Sequence, residues 1–449
     1  MTALILYTIF GSILFVVITI FFTKIRTGIF FLYLVGISLQ YLYMIKFGSF
    51  NALEFAGLGI PLLIICGLFI SQKSLIYEFN KDNLFKFYFG ILIIFFISGV
   101  IFPGFLYPSH TFLPFVERFT GWYKLLTGFI VFLAVSVFFN DEKKINKLLN
   151  CMLLSSLVPG SIFIWQILTG STELNPRTGY HFANAFFHHP GVFAYYLLFC
   201  FPLCLFKYSQ SRSRNEKYFW ILILLIFLIL IYFTYRRGVW LGLFAQLFTY
   251  FFLFQNIKHK MIYSYILVSI IILLSFTQLA YTFVDRFSDI STFYYNLPEA
   301  LQTNRYDELF SGRWRFFRTN IMYLVNQPII NFMFGNGIEA TFYASEKMGG
   351  FGGGHNIYLI LLVDYGVIAF LAYTFFIVLL FSKLIRLSTS VDLFVSDYSR
   401  SITALLVSYL IMGIVTHVLY RLAANWILWG LIGSLLGLLS KRNKSSQFY

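Results

Sequence analysis

The sequence predicts an all-α polytopic membrane protein. Hydrophobic residues make up 59% of the 449 residues, charged residues only 11%, and the mean hydropathy is +0.78. A soluble domain carries about 25% charged residues. The apolar residues gather in about a dozen uninterrupted runs of the length that spans a bilayer as a helix. A transmembrane β-barrel would show short alternating segments instead.

About 12–13 transmembrane helices are predicted from these runs. The alternative of twelve arises from the short run 191–206 and from the break at 419–423. The first run is long enough to stay in the membrane and has no small-residue cleavage site after it, so it is not predicted to be a removable signal peptide. The predicted spans are 3–22, 28–46, 52–70, 87–106, 121–139, 148–168, 191–206, 219–235, 238–254, 261–284, 355–382, 401–419 and 423–439.

The basic residues predict the orientation of the chain. Most of the 33 lysines and arginines fall in the odd-numbered loops and in the C-terminal tail, which the positive-inside rule assigns to the cytoplasm. The even-numbered loops then face outward. The net charge of +15 is explained by this topology, so nucleic acid is not an expected partner, whereas the lipid bilayer is.

One outer loop, 285–354, is too long for a passive connection. Its segment LFSGRWRFFRTNIMYLVNQP has helical spacing, with Ser311 as the predicted N-cap and Pro328 as the stop, and its basic and aromatic residues are typical of a helix lying in the interface. The predicted division is 1–174, an N-terminal transmembrane bundle; 175–284, central helices with outer Arg/His turns; 285–354, the long loop with its helices; and 355–449, the C-terminal helices and tail.

Arginines mark two candidate anion sites on the outer side. Arg236 and Arg237 stand before a glycine in a very short turn between two spans. Arg313 and Arg315 stand at the start of the predicted loop helix. A guanidinium offers a planar fork of donors that suits phosphate, although the alternative of snorkelling to lipid headgroups remains open for each of them.

A third candidate site is MGGFGGGHNIYLILLVDYGVIAFLAY, where five glycines precede His355 and Asn356 at the start of a span. Unpaired backbone N–H groups at a helix start attract anions. The same field opposes protonation of His355 and so favours the neutral imidazole that a general base needs. In the alternative, Asn356 is an N-cap and His355 an interfacial residue. Asp364 is a rare charge inside this predicted span.

The outer segment NPRTGYHFANAFFHHPGVFAYYL contains Arg177 and the adjacent pair His188 and His189. Adjacent residues seldom point at one ion and no acidic residue is close by, so no metal site is predicted. All but one of the seven histidines map to the outer side, the exception being His259.

Three segments resemble the O-antigen ligase and polymerase family of bacterial envelope glycan assembly. They are RTGYHFANAFFHHPGVFAYYLLFCFPL, YRRGVWLGLF, and SGRWRFFRTNIMYLVNQPIINFMFGNGIEATFYAS followed by GGGHNIYLILLVDYGVIAF. The last is the most specific, because an arginine before an aromatic helix, a proline, a G-x-G, H-N-x-Y-L and a later Y-G follow one another in the family's order. The resemblance covers about 175–373.

The resemblance implies a GT-C-like membrane glycosyltransferase of the bacterial inner membrane with its active face in the periplasm. Its donor would be a glycan on undecaprenyl diphosphate, its acceptor lipid A-core or a growing glycan, and it would need no nucleotide sugar, metal or other cofactor. Arg177, Arg236, Arg237, Arg313 and Arg315 would hold the donor diphosphate. His355 would take the acceptor proton, with Arg237 and Arg313 stabilising the leaving charge and with Asn356 and Tyr358 in support.

Three other functions remain open. A polymerase of the same family joins the glycan to another repeat unit instead of to lipid A-core. A flippase or exporter of lipid-linked glycans would also need arginines, but along a mid-membrane cavity rather than on one face. A non-catalytic assembly partner is the remaining alternative.

Overall fold

The structure is a computed structural model. It describes residues 82–103, 114–171, 190–234, 236–253, 313–341, 356–416, 418–420 and 422–446, together with four short strand segments. The strands form two antiparallel pairs, β1 (Lys46–Phe47) with β2 (Phe50–Asn51) and β3 (Glu173–Leu174) with β4 (His181–Phe182). Nearly everything else in these ranges is helical.

The helices follow the predicted spans closely where they are described. They are α1 (Asn83–Phe96), which continues as a π-helix (Ile97–Ile101), α2 (Phe115–Phe138), α3 (Glu142–Leu154), α4 (Leu157–Thr169), α5 (Pro190–Gln210), α6 (Arg214–Phe233), α7 (Arg237–Leu253), α8 (Arg313–Val325), α9 (Ile329–Phe334), α10 (Ile357–Asp364), α11 (Gly366–Ser388), α12 (Leu393–Val415), a 3₁₀ turn (Val418–Tyr420) and α13 (Leu422–Ser446).

Among the described residues, eight helices are long and apolar enough to cross a membrane. The protein is therefore an all-α polytopic membrane protein. A further, shorter apolar helix covers Gly238–Leu253. The predicted spans 3–22, 52–70 and 261–284 lie outside the described residues, as does 28–46 except for its last residue. The eight are Asn83–Ile101, Phe115–Phe138, Glu142–Thr169, Gly191–Gln210, Arg214–Phe233, Gly366–Ser388, Leu393–Val415 and Ala424–Asn443.

Polar side chains join the helices inside the apolar core. The Trp426 indole N–H on α13 donates to Thr127 Oγ1 on α2 at 3.0 Å, and α2 and α13 pack along each other. The hydroxyls of Tyr398 on α12 and Ser434 on α13 lie 2.7 Å apart. These directional bonds add to apolar packing in setting the relative positions of the helices.

One end of the bundle is held by ion pairs, and we call it the ion-pair end. Arg442 of α13 pairs with Glu142 at the start of α3 and with Asp392 before α12. Lys383 of α11 pairs with Asp82 before α1. All these residues belong to loops predicted from their basic residues to share one side of the membrane.

One predicted span is wrong as a continuous helix. The span 148–168 lies inside the candidate membrane span Glu142–Thr169, which has a turn at Ser155–Ser156 between α3 and α4. The span 355–382 is broken at Tyr365–Gly366 into α10 and α11, because Gly366 has φ +83° and the helix cannot continue through a left-handed residue. The consequence is a short helix, α10, that does not continue the axis of α11.

Candidate functional site at the start of α10

The corner between α10 and α11 is held by the segment that follows α9. The backbone N–H groups of Asn336 and Gly337 donate to the carbonyls of Val363 and Asp364 at 3.0 and 2.9 Å. The backbone N–H of Ile338 donates to Gly99 in the π-helix at 3.2 Å. The G-x-G, Gly335 to Gly337, therefore begins the segment that packs on the transmembrane bundle. We call this segment, residues 335–341, the returning loop.

The depth of α10 follows from the register of the two helices beside it. The Ser396 hydroxyl on α12 donates to the Ser388 carbonyl on α11 at 2.7 Å, and Ser399 donates to Leu384 at the same distance. These bonds set α11 and α12 antiparallel. In this register Gly413 lies beside the first turns of α11 rather than beyond the N-terminal end of α11.

The first turn of α10 contacts α12 at that depth. A Cβ added to Gly413 would come within 2.6 Å of Ile357 Cγ2, and the Tyr358 hydroxyl donates to the Leu410 carbonyl at 2.8 Å. A straight continuation of α11 would carry Ile357 well beyond the end of α12. Because Ile357 instead touches Gly413, α10 folds back at the corner and lies across the last turns of α12.

Asn356 caps α10. Its side-chain oxygen accepts the backbone N–H groups of Tyr358 and Leu359 at 2.9 and 3.1 Å, as expected of asparagine at an N-cap. Two of the amides that the sequence offered for anion binding are thus already bonded. Asn356 therefore acts on the geometry of the helix start.

Arg237 begins α7, and α7 packs along α12. A Cβ added to the next residue, Gly238, would come within 2.9 Å of Val415 Cγ2. Arg236, which is partly buried, supplies the carbonyl for the first turn of α7, accepting the N–H of Val239 at 3.0 Å. The starts of α7 and α10 therefore lie at the same level of α12 but on different faces of it, because Gly413 and Val415 are two residues apart in a helix.

Arg313 and Arg315 lie in the first turn of α8, which packs against α10. The prediction of a helix here is confirmed: α8 ends at Val325, and Pro328 leads into α9. The predicted N-cap Ser311 lies outside the described residues. Asn320 of α8 is fully buried and donates to the carbonyl of Phe316, one turn earlier in the same helix, at 2.9 Å.

Two predicted site residues, His355 and Arg177, lie outside the described residues. Both lie close in the sequence to described residues. His355 directly precedes the N-cap Asn356. Arg177 falls between β3 and β4, whose pairing sets Leu174 opposite His181.

Sequence reasoning missed the role of Asp364. Both carboxylate oxygens accept backbone N–H groups of the returning loop, from Glu339 at 3.0 Å and from Thr341 at 2.8 Å. Asp364 is only 1% exposed and lies just before the span Gly366–Ser388. Burial raises the pKa of Asp364 to about 7, although the N–H bonds oppose the shift. The signal was a carboxylate two residues before a glycine inside an apolar run.

Arg118 is a second missed residue. It is buried in the first turns of α2 and donates from Nη1 to the carbonyl of Val100 in the π-helix at 2.8 Å. The bond stabilises the irregular backbone on which the returning loop docks. Within the described ranges no group of three or more His, Cys, Asp or Glu side chains is arranged to hold a metal ion.

Residues 221–374 match the family described as O-antigen ligase. The matched region runs from α6 through α10 into α11 and contains the starts of both α7 and α10. This part of the chain is similar to the O-antigen ligase family. The O-antigen ligase region contains Arg236, Arg237, Arg313, Arg315 and the stretch from His355 to Asp364, whereas Arg177 precedes it. No curated protein matches the chain.

Proposed function

We propose that the protein is a GT-C-like membrane glycosyltransferase that transfers a glycan from undecaprenyl diphosphate to an acceptor at the periplasmic face of the inner membrane. The observation that supports the proposal is that two helix starts, both inside the O-antigen ligase region, lie at the level of the last turn of α12. One start carries Arg237, and the other follows His355.

The arginines bind the donor diphosphate. Arg236 and Arg237 stand at the start of α7, Arg313 and Arg315 at the start of α8, and Arg177 between β3 and β4 in the sequence. Guanidinium groups form bidentate hydrogen bonds to phosphate oxygens and stay charged at every working pH. Placed against the diphosphate, they stabilise the negative charge that grows as the glycan leaves.

His355 is the base in a single displacement. The acceptor hydroxyl oxygen forms a bond to the anomeric carbon of the glycan as the bond from that carbon to the diphosphate oxygen breaks. The electron pair stays on undecaprenyl diphosphate, and the hydroxyl proton passes to the His355 imidazole. Attack opposite the leaving group inverts the anomeric centre. The arginines take over the charge neutralisation for which other transferases use a metal ion.

The orientation of the site follows from charge. The basic loops predicted to be cytoplasmic supply the ion-pair end, where Lys383 and Arg442 lie. Val415 and Gly413 lie at the opposite end of α12 from Asp392. The positive-inside rule then sets the transfer site at the periplasmic face, where lipid-linked glycans are joined to their acceptors.

The acceptor separates two versions of the function. A ligase transfers the glycan to lipid A-core, and a polymerase transfers it to another lipid-linked repeat unit. The H-N-x-Y-L segment at 355–359 favours the ligase, since it resembles ligases well. A flippase is the weaker candidate, because the candidate arginines are predicted to lie on the outer side rather than along a path across the membrane.

The test is transfer by purified protein in liposomes from an undecaprenyl-diphosphate glycan. Lipid A-core and additional donor are offered as alternative acceptors, with and without a chelator. Wild type is expected to transfer, Arg237→Ala to lose at least about 100-fold, and Arg237→Lys to recover part of the rate. Arg214→Ala is the matched control, because Arg214 is exposed and begins α6, whereas Arg237 follows the other end of α6.

The product decides between the versions. Glycosylated lipid A-core identifies a ligase, and a lengthened lipid-linked glycan identifies a polymerase. Movement of donor across the liposome without any transfer would contradict the proposal and assign the arginines to translocation.

A further inference from the structure

We propose that Asp364 is a positioning residue: its carboxylate fixes the corner between α10 and α11 and thereby holds α10 across α12, with Asn356 beside the transfer site. The inference rests on the proposed function, since Asn356, at the start of α10, directly follows the proposed base in the sequence. It adds a residue that touches neither donor nor acceptor.

The carboxylate of Asp364 binds backbone groups of the returning loop. It is almost fully buried, and its two oxygens each accept one N–H, from Glu339 and from Thr341. Glu339 has φ +67°, which is unusual for a residue other than glycine. Backbone in that conformation persists only where its surroundings determine it, and the Asp364 carboxylate supplies such a determinant.

We call the two hydrogen bonds of the Asp364 carboxylate the Asp364 clamp. Asn336 adds further hydrogen bonds at the same corner. Its side-chain N–H₂ donates to the Val363 carbonyl at 2.9 Å and to Gln327 Oε1 at 2.7 Å, and its oxygen accepts from Asn331 at 2.9 Å. The last turn of α10 is thus bonded to the returning loop through both Asn336 and Asp364. The first turn of α10 is bonded to α12 through Tyr358.

Because α10 extends away from the corner, a small rotation at the corner displaces the start of α10 by a larger distance. Eight residues of helix are about 12 Å long, so a rotation of about 10° at Asp364 moves the start of α10 by about 2 Å. A misplacement of about 1 Å in a reacting group can cost about 100-fold in rate. Loss of the Asp364 clamp should therefore reduce transfer without removing any group that contacts the substrates.

A cysteine pair measures the position of α10 directly. A Cβ at position 413 would lie 3.4 Å from Ile357 Cβ, close to the separation of about 3.5–4.5 Å in disulfides. Ile357→Cys and Gly413→Cys are combined in a protein whose four natural cysteines are replaced by alanine. Under mild oxidation this parent is expected to crosslink rapidly. Adding Asp364→Ala should slow crosslinking about tenfold or more.

Transfer kinetics on the same proteins test the consequence. Asp364→Ala is expected to lower kcat about 100-fold while the donor KM stays within about twofold, because the arginines are untouched. Oxidation of the cysteine pair should restore most of the lost kcat, since the disulfide replaces the clamp. A residue needed only for folding would not be rescued in this way.

Asp392→Ala is the matched control, because Asp392 also accepts a backbone N–H, from Val395 at 3.1 Å, but at the ion-pair end. It should leave crosslinking and kcat unchanged. If Asp364→Ala does not fold, Asp364→Asn is used, which keeps the shape but loses one acceptor, and an intermediate slowing is expected.

Unchanged crosslinking in the folded Asp364 variant would overturn the inference, as would a disulfide that forms without restoring kcat. Crosslinking that depends on Asp364 in a parent that performs no transfer would instead refute the proposed function, and the transfer role of Asp364 with it. The two failures are therefore distinguishable.

Discussion

Gly335 and Gly366 lie backbone to backbone at the corner between α10 and α11. A Cβ on Gly366 would clash with the backbone nitrogen of Gly335. A Cβ on Gly335 would clash with the Asp364 carbonyl oxygen. Both glycines have positive φ, +84° and +83°. This close approach lets the returning loop bond directly to the end of α10.

Gly366→Ala should therefore destabilise the protein by at least about 2 kcal/mol, because it adds a positive-φ strain to a backbone clash. The measurement is thermal unfolding in detergent. Gly90→Ala is the control: a Cβ there meets nothing within 4 Å, and alanine raises helix propensity. Equal unfolding temperatures for the two variants would contradict the account of the corner.

Substitutions of Asn356 should separate folding from transfer. Asn356→Asp keeps an N-cap oxygen for Tyr358 and Leu359, so the fold should be as stable as wild type. The new negative charge lies beside the proposed diphosphate site and should lower transfer at least about tenfold by weakening donor binding. Asn356→Ala should instead lose about 1 kcal/mol of stability. Unfolding temperature and donor KM are measured on both, and a donor KM unchanged in Asn356→Asp would count against a nearby anion.

The hydroxyl of Tyr358 contributes to the position of α10 through its bond to the Leu410 carbonyl. Tyr358→Phe should cost about 0.5–1.5 kcal/mol of stability. Transfer should fall by less than about tenfold, because the Asp364 clamp and the Asn356 cap remain. Loss of all transfer in a folded Tyr358→Phe protein would show that the hydroxyl takes part in the reaction itself.

The ion-pair end gives a prediction on pH. Burial alone would raise the pKa of Asp141, but hydrogen bonds from Lys144 and the charge of Lys441 outweigh it and lower the pKa. A lowered folded pKa adds stability above the unfolded pKa, which is about 4, and this stability is lost as the pH falls through the folded value.

Asp141→Asn keeps the cap that accepts the Lys144 N–H at 2.9 Å and removes the charge. At pH 7 it should be less stable than wild type by up to about 1 kcal/mol, and the difference should shrink towards pH 3. The comparison is made by unfolding temperature at both pH values. A difference that stays constant would mean that the Asp141 charge is not the cause.

Composition and hydropathy were sufficient to predict the fold class and most described helices. The predicted run 191–206 corresponds to α5, and 423–439 lies inside α13, because a bilayer selects helices by length and apolarity alone. The helix starts carrying Arg237 and Asn356 were also predicted, since arginine–glycine and asparagine at the edge of an apolar run mark where a helix begins.

The corner was not predictable in the same way. Gly366 stands inside an apolar run that remains apolar on both sides, so periodicity treats it as a tolerated glycine. Only the partners of Asp364, which are backbone groups 23 and 25 residues earlier, show why the helix breaks there. Such bonds depend on tertiary structure, and the local signal, a carboxylate two residues before a glycine in an apolar run, does not identify the partners.

The central claim is that Arg237 and His355 serve one transfer site. The most direct test is the initial transfer rate of wild type, Arg237→Ala, His355→Ala and the double variant, with the acceptor that wild type uses. Each single substitution is predicted to lose at least about 100-fold, and the double variant to be little worse than the poorer single one, because residues of one site act as a unit. A His355→Ala protein that transfers at the wild-type rate would contradict the account.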